Sequence, residues 1–130
     1  MISIQKLMQP PKDFNTMVAR KTGSQDYRVD GVVVNKKSGK GYNVSIQMDT
    51  KKMEPNSNVK VMCSCDDFKF RWAYVLYTKG ALLNPKNFVL EPPNKTNPNQ
   101  TMNACKHIHT FIKAEMDNTL KTFSKRKGAL

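Results

Sequence analysis

Every cysteine and histidine of this chain falls in two short segments. "VMCSCDDFKF" contains Cys63 and Cys65, and "NACKHIHTF" contains Cys105, His107 and His109. Thiolate sulfur and imidazole nitrogen are the ligands that zinc prefers, and three sulfurs with one nitrogen fill a tetrahedral shell. Such soft ligands disfavour magnesium and calcium. The two segments therefore predict one structural Zn²⁺ with no open coordination position.

The spacing within each pair decides whether its side chains can share an ion. Residues i and i+2 of a strand face the same side, so Cys63 and Cys65 can bind together at a strand end. Residues i and i+2 of a helix diverge, so Cys105 must precede a helix whose first turn holds His107. His109 then points away from the ion and is expected at the surface or behind the ligands. His109 in place of His107 is the alternative fourth ligand.

The residues around the two pairs predict the elements that position them. Apolar alternation and turn signals indicate three antiparallel strands in "DYRVDGVVVN", "YNVSIQM" and "VKVMCSC". "DDFKFRWAYVLYTKG" is typical of a helix, capped by Asp66 or Asp67 and ended by Gly80. "CKHIHTFIKAEMDNTLKTF" predicts a C-terminal helix. The predicted fold class is α+β, a three-stranded antiparallel meander with two helices, in which zinc joins strand three to the C-terminal helix.

The first helix carries two apolar stripes. One stripe is expected to face the sheet and consists of Phe68, Trp72, Val75 and Leu76. The other stripe consists of Phe70, Tyr74 and Tyr77, and it needs a cover or serves as a contact surface. The Pro- and Asn-rich loop 84–104 is the expected cover. The buried stripe predicted for the C-terminal helix consists of Ile108, Phe111, Ile112, Met116, Leu120 and Phe123.

The domain organisation predicted from these elements is simple. A chain of 130 residues accommodates one modest hydrophobic core. Residues 1–24 are interpreted as an N-terminal arm, packed on its own domain or on a neighbour, with two helical turns in "DFNTMVAR". Residues 25–123 form the zinc-binding domain, with the loop 84–104 inserted. Residues 124–130 form a basic tail.

The chain is strongly basic, with a formal net charge of +12. Such a charge attracts polyanions, namely DNA, RNA or an acidic protein surface, although dispersed lysines also serve solubility alone. Basic and aromatic residues alternate in the first helix, which suits phosphate contact combined with base stacking. The candidate contact residues for nucleic acid or a partner are Lys69, Arg71, Tyr74, Tyr77, Lys106, Lys113, Lys125, Arg126 and Lys127.

Several classes of protein are disfavoured by features that the sequence lacks. No apolar stretch approaches the roughly 20 residues that cross a bilayer, and the first residues lack the apolar core of a signal peptide. We therefore expect a cytoplasmic protein with no membrane partner, in which three cysteines do not form a disulfide framework. No HExxH, GxSxG, GxxxxGKS or zinc-deaminase pattern is present. Neither an enzymatic activity nor a small-molecule substrate is expected, and Ser64 is interpreted as a spacer.

The alternative for the sulfurs is that three buried cysteines act as small hydrophobic residues, which explains the paired spacing poorly. The pattern instead resembles the SWIM zinc finger, whose ligands follow CxC and CxH. This resemblance implies that Cys63, Cys65, Cys105 and His107 bind zinc, the first pair on a β-hairpin and the second at the start of a helix. It covers residues 58–118, with a longer gap than the family usually has because a helix and the proline loop are inserted.

"CSCDDFKFRWAY", "PPNKTNPNQ" and "CKH" are also similar to small standalone SWIM-type proteins encoded by tailed phages. The resemblance implies binding to DNA or protein rather than catalysis. The expected function is a structural or binding component of a larger assembly such as a phage virion, with other assembly proteins as partners. The location would be the host cytoplasm or the particle. The alternative function is a basic zinc-finger protein that binds DNA or RNA.

Overall fold

A computed structural model describes residues 1–7, 16–99, 103–117 and 121–122. Within these residues the strands form one sheet in the order β1-β5-β4-β3-β2-β6. The strands are β1 (Ile2–Ser3), β2 (Met17–Gln25), β3 (Arg28–Asn35), β4 (Gly41–Met48), β5 (Asn58–Cys63) and β6 (Lys121–Thr122). The helices are α1 (Ile4–Leu7), α2 (Ala73–Thr78) and α3 (Lys106–Met116), with a π-helical turn at Phe68–Trp72 and a 3₁₀ turn at Pro85–Asn87.

The predicted meander is present as β3, β4 and β5, and the mixed helix-and-strand composition is confirmed. The predicted strand and helix counts are wrong, because β1 and β2 extend the antiparallel sheet on its two sides and β6 adds to β2 in parallel. Met17–Arg20, expected to be helical, lie in β2. Val18 pairs there with Val34, and β-branched residues suit a pleated, half-buried surface.

The described part of residues 1–24 packs on its own domain. Ile4 and Leu7 of α1 are fully buried, and the backbone N–H of Ile4 donates to the carbonyl of Ser57 at 2.8 Å. Ile2 of β1 pairs with Val59 of β5. These residues therefore close one edge of the sheet. Residues 8–15, which include Phe14 and the first three residues of the predicted helical turns, lie outside the described residues.

The helices cover one face of the sheet. Alternate residues of β4 face them and are buried, from Val44 through Ile46 to Met48. Helix α3 contacts β2, β3, β4 and β5, and the π-helical turn contacts β5. On the opposite face, residues such as Val32 and Val34 are only half-buried. An antiparallel sheet commonly has one core face and one solvated face. Apolar and polar residues therefore alternate along its strands, and this alternation allowed the strands of the meander to be predicted from the sequence.

Helix α3 lies unusually close to the sheet at Gly31 of β3. A Cβ atom added at Gly31 would stand 2.1 Å from Cε1 of Phe111 and 2.5 Å from the carbonyl oxygen of Arg20. Any side chain at this position would collide with both the helix and the neighbouring strand. The absence of a side chain at Gly31 thus allows α3 to pack this close to the sheet.

The first predicted helix is present but begins with a π-helical turn. Its inner stripe is placed as predicted, since Phe68, Val75 and Leu76 are buried and Trp72 packs against the core. Gly80 (φ +65°) ends α2, where its N–H donates to Tyr77 and that of Ala81 donates to Leu76, the usual αL helix ending.

Asp67 precedes the π-helical turn but makes no side-chain cap. Its carboxylate instead contacts Arg71 Nε at 3.2 Å and accepts a hydrogen bond from Trp72 Nε1 at 3.1 Å. In an α-helix, residues i and i+5 lie about 140° apart around the axis. The wider π-turn brings Asp67 and Trp72 to the same side, so the side chains of this segment support its irregular geometry.

The C-terminal helix is shorter than predicted. Helix α3 ends at Met116, and Lys121 and Thr122 pair with Arg20 and Lys21 as β6, so the prediction of a helix through residue 123 is wrong at these two positions. Leu120, Phe123 and the predicted tail 124–130 lie outside the described residues. None of the described helices has the length and apolar character that crossing a bilayer requires.

Candidate metal centre

The four predicted zinc ligands converge in the structure. Cys63, Cys65, Cys105 and His107 are all buried, and their ligand atoms lie within 4.8 Å of one another. Cys63 ends β5, Cys65 lies between β5 and the π-helical turn, Cys105 immediately precedes α3, and His107 lies in the first turn of α3. One pair therefore lies at a strand end and the other at a helix start, as the spacing within each pair predicted.

The distances within the cluster suit one tetrahedral ion. Sγ of Cys63 lies 3.9 Å from Nδ1 of His107. A zinc ion with bonds of about 2.3 Å to sulfur and about 2.0 Å to nitrogen would separate two such ligand atoms by roughly 3.6 Å. Small side-chain adjustments therefore suffice to close the shell, and Nδ1 is the imidazole nitrogen that faces the sulfurs.

The first cysteine pair is held by the end of the β4–β5 hairpin. Cys63 pairs with Val44 in register. Beyond it, the N–H of Ser64 donates to the carbonyl of Asn43 at 3.0 Å, and the N–H of Asn43 donates to Oγ of Ser64 at 2.9 Å. Ser64 is therefore more than a spacer, because its hydroxyl fixes the backbone between the two cysteines. The sequence signal for this role is a serine at a strand end, where its hydroxyl can bond to nearby backbone groups.

Cys65 receives direct support from the π-helical turn. The backbone N–H of Phe68 donates to Sγ of Cys65 at 3.3 Å. A thiolate accepts such a hydrogen bond more strongly than a thiol does, because charge strengthens it. The turn that follows the CxC pair thus favours the anionic form of Cys65, the form that binds a metal.

The second pair is positioned by the start of α3. Cys105 has extended backbone angles (φ −77°, ψ 165°), and its carbonyl accepts from the N–H of His109 at 3.2 Å. The ring of His107 packs against Tyr42 of β4 with centroids 4.6 Å apart. Tyr42 therefore limits how the imidazole rotates. The sequence analysis predicted the strand that contains Tyr42 but gave this residue no part in the site.

Of the two places expected for His109, at the surface or behind the ligands, the structure excludes the surface. The residue is buried, and Nε2 lies 2.8 Å from Oδ1 of Asn103, an oxygen that also accepts from the N–H of Ala104. Within the described residues, His109 is not a member of the Cys₃His cluster. The geometry therefore favours His107 as the fourth ligand and gives His109 the role of tying down the segment before Cys105.

The three thiols interact strongly when no metal separates them. Hydrogen bonds from Cys105 and then Cys63 lower the pKa of Cys65. Burial, followed by the other two sulfurs, raises the pKa of Cys105. For Cys63, a hydrogen bond with Cys105 lowers the pKa, but the hydrogen bond to Cys65, burial and the charge of Cys65 together raise it to about 12. One negative charge thus collects on Cys65, and a cation at the centre would allow all three thiolates.

The predicted contact residues are only partly free to meet a polyanion. Lys69 pairs with Asp66 at 3.9 Å, Arg71 with Asp67 at 3.2 Å, and Lys113 with Asp117 at 2.8 Å. These exposed pairs are weak, but each places an acidic group beside a candidate cation. Of the others, Tyr77 and Lys106 are exposed and Tyr74 is half-buried, while Lys125, Arg126 and Lys127 lie outside the described residues.

The proline loop docks beside the second aromatic stripe without covering it. Oγ1 of Thr96 donates to the carbonyl of Phe70 at 2.5 Å, and Nδ2 of Asn97 donates to that of Arg71 at 3.2 Å. Phe70 nevertheless stays 65% exposed. Between Phe70 and the loop lies an apolar cleft of about 540 Å³. The expected cover is therefore incomplete.

No protein-family model, curated protein sequence or solved structure matches this chain. Its function is inferred from the geometry described above.

Proposed function

We propose that this protein is a non-catalytic, SWIM-type module that holds one structural Zn²⁺ and serves as a binding component of a larger assembly. The buried Cys₃His cluster carries the proposal. Three thiolates and an imidazole complete a tetrahedral shell, so no coordination position remains for a substrate or an activated water. Each of the four residues is at most 5% exposed, which also keeps substrates away from the ion.

The ion would stabilise the fold by joining its two parts. Cys63 and Cys65 lie at the end of a sheet strand, whereas Cys105 and His107 lie at the start of the helix that covers the sheet. Structural zinc contributes on the order of 10 kcal/mol of binding free energy in small domains. That value is comparable to the whole stability of an ordinary domain, about 5–15 kcal/mol. The stability that such a link adds matters most for a chain with only one modest hydrophobic core.

The cleft beside the π-helical turn supports a role in protein binding. Phe70 is 65% and Val89 is 78% exposed, and both line the cleft together with Phe88 and Pro92. Exposed apolar groups that cluster in one place mark interaction sites more often than scattered ones do. We assign this surface to contact with another protein of the assembly, such as a component of a phage virion.

Nucleic-acid binding is the second candidate function, and the net charge of +12 favours it. The helical residues first nominated for this role support it less, because Lys69, Arg71 and Lys113 have acidic neighbours. A nucleic-acid surface would therefore be sought elsewhere on the molecule.

Elemental analysis of protein purified without chelators tests the metal assignment, with one zinc per chain as the expected result. Absence of any stoichiometric transition metal would contradict it.

For the assembly role, cross-linking in native extracts should join residues near Phe70 and Val89 to a second protein in a fast-sedimenting particle. A chain that sediments only as a free monomer would contradict that part. The matched variants are Phe70→Ser, which should release the chain, and Tyr77→Ser, which leaves the cleft intact.

A further inference from the structure

A second surface stands out at the far end of the sheet. A pocket of about 260 Å³ there is lined by Lys21, Lys51, Lys52, Ser24, Gln25 and Glu115, among others. Positive charges exceed negative ones by two in this lining. The metal cluster lies beside Tyr42 at the start of β4, whereas the pocket adjoins Met48 at its end, six residues or about 20 Å along the strand. The pocket is therefore separate from the metal centre.

The lysines of this pocket differ in how much charge they can offer. Lys21 projects from β2 on the helix-covered face, and its Nζ lies 2.9 Å from Oε1 of Glu115, with both side chains 18% exposed. Glu115 therefore offsets the charge of Lys21. Lys51 and Lys52 follow β4 and are exposed, so they present their ammonium groups to an incoming anion.

Tyr27 does not line the pocket itself, but its backbone is bonded to two residues that do, and it has an unusual conformation. Its φ is +70°, a left-handed conformation that bulky side chains rarely adopt and that glycine adopts readily. Its N–H donates to the carbonyl of Lys51 at 3.2 Å, and its carbonyl accepts from the N–H of Met48 at 2.8 Å. Tyr27 is nevertheless 47% exposed, so core packing does not explain an aromatic residue here.

Strained residues that the surrounding structure holds in place concentrate at functional sites. An exposed aromatic ring beside a basic groove is the combination used to bind single strands, in which bases stack on the ring and cations meet the phosphates. A duplex keeps its bases stacked on one another and cannot use such a ring. We infer that Tyr27, Lys51 and Lys52 form a binding surface for single-stranded nucleic acid.

The inference does not rest on the proposed assembly role. It also uses none of the helical residues nominated from the sequence, because the contact surface lies at the end of the sheet formed by the β2–β3 turn and the segment after β4. A matched control exists at the opposite end of the sheet, where the adjacent lysines Lys36 and Lys37 follow β3 and are exposed.

The experiment measures fluorescence anisotropy of labelled (dT)₁₂, U₁₂ and a 12-base-pair duplex with zinc-loaded full-length protein, at several salt concentrations. Replacing both lysines, Lys51→Gln with Lys52→Gln, should lower the salt slope for (dT)₁₂ by about 1.4, since each phosphate contact on a single strand contributes roughly 0.7. Lys36→Gln with Lys37→Gln removes the same net charge and should leave the slope almost unchanged. Glu115→Gln should tighten binding by freeing Lys21.

Tyr27→Gly separates a role in binding from a role in folding. Glycine relieves the left-handed strain, so the thermal midpoint should not fall. Loss of the ring should nevertheless weaken (dT)₁₂ binding by roughly fivefold to a hundredfold, the range seen when a stacking aromatic residue is removed. Tyr27→Phe keeps the ring and should bind as the original protein does. The (dT)₁₂ and U₁₂ arms tell DNA from RNA.

Three results would overturn the inference. An equal reduction of the salt slope for (dT)₁₂ in the two double-lysine variants would mean that only the overall charge of the protein matters. Duplex binding as tight as (dT)₁₂ binding, with no effect of Tyr27→Gly, would mean phosphate contact without base stacking. If neither single strand shows salt-dependent binding at low ionic strength, this surface does not bind nucleic acid.

Discussion

Ser64 and Asn43 hold each other through two hydrogen bonds across the end of the β4–β5 hairpin. The N–H of Ser64 donates to the carbonyl of Asn43 at 3.0 Å, and its Oγ accepts from the N–H of Asn43 at 2.9 Å. The residue between the two cysteines is thereby fixed on both its backbone and its side chain. Substituting a residue that orients a metal ligand typically lowers metal affinity by roughly 10- to 100-fold.

Ser64→Ala should therefore weaken zinc binding by about tenfold, the lower end of the range for residues that support metal ligands, because Asn43 is exposed and water can replace the hydroxyl. Competition with a fluorescent chelator measures this change. Ser45→Ala on the open face of β4 is the control and should leave zinc affinity unaltered. Indistinguishable affinities for the two variants would show that the hydroxyl does not position the cysteines.

The two histidines of α3 should respond differently to the same substitution. His107→Gln removes the nitrogen that faces the sulfurs, so zinc should be lost or bound at least a hundredfold more weakly. His109→Gln can keep a hydrogen bond to Asn103 and should retain one zinc per chain. Metal content after dialysis and chelator competition compare the two. Loss of zinc from the His109 variant alone would reverse the assignment of the fourth ligand.

The metal ligands could be predicted from sequence because their spacing is a local property. Two residues apart on a strand and two residues apart at a helix start impose geometry that tertiary packing does not alter. The outer strands could not be predicted in the same way. Val18 becomes a strand residue through its pairing with Val34, and the pairing of β6 with β2 joins residues 101 positions apart, from Lys21 to Thr122.

The supporting residues of the site were missed for a related reason. Tyr42 meets His107, and Ser64 meets Asn43, only after the hairpin and α3 have docked. The π-helical turn also escapes a search based on a 3.6-residue period, because it depends on Asp67 reaching Trp72. Periodicity still identified the buried side of this segment, since Phe68 and Leu76 are both in the core.

Gly31→Ala should destabilise the protein through overpacking. The new Cβ would meet the Phe111 ring at 2.1 Å and the backbone carbonyl of Arg20 at 2.5 Å, and backbone cannot move aside cheaply. We expect a loss of about 1–3 kcal/mol in the free energy of unfolding or more. Urea unfolding of the zinc-loaded protein measures it.

Gly23→Ala provides the control for that variant, because its added Cβ would stand 3.8 Å from Oδ2 of Asp30, an ordinary contact. Its unfolding free energy should change by less than about 1 kcal/mol. Adding Phe111→Leu to Gly31→Ala should recover part of the lost stability, since the smaller side chain leaves room for the methyl group. Equal stability of the two alanine variants would show that α3 adapts to the extra atom.

Zinc binding should release about two protons per ion at pH 7.5. In the metal-free site the pKa of Cys65 is lowered, while that of Cys105 is raised and that of Cys63 is raised to about 12. One sulfur is then already a thiolate, and two must lose protons when the ion binds. Because protons are products of binding, zinc affinity rises with pH, by about a hundredfold per unit in this range. The slope declines only as pH approaches the raised pKa values.

Zinc titration in weak buffer with a pH indicator counts these protons, and chelator competition between pH 7 and 8 measures the slope independently. Cys65→Ser is an informative comparison, because it removes the sulfur on which the negative charge collects and leaves Cys63 and Cys105 to supply the protons. Release of about three protons by the original protein would mean that Cys65 is a thiol in the free site, in conflict with the hydrogen bonds it receives there. Release of fewer than two protons would mean that the metal-free site already holds a second thiolate. A second thiolate would require some other cation close to Cys63 or Cys105.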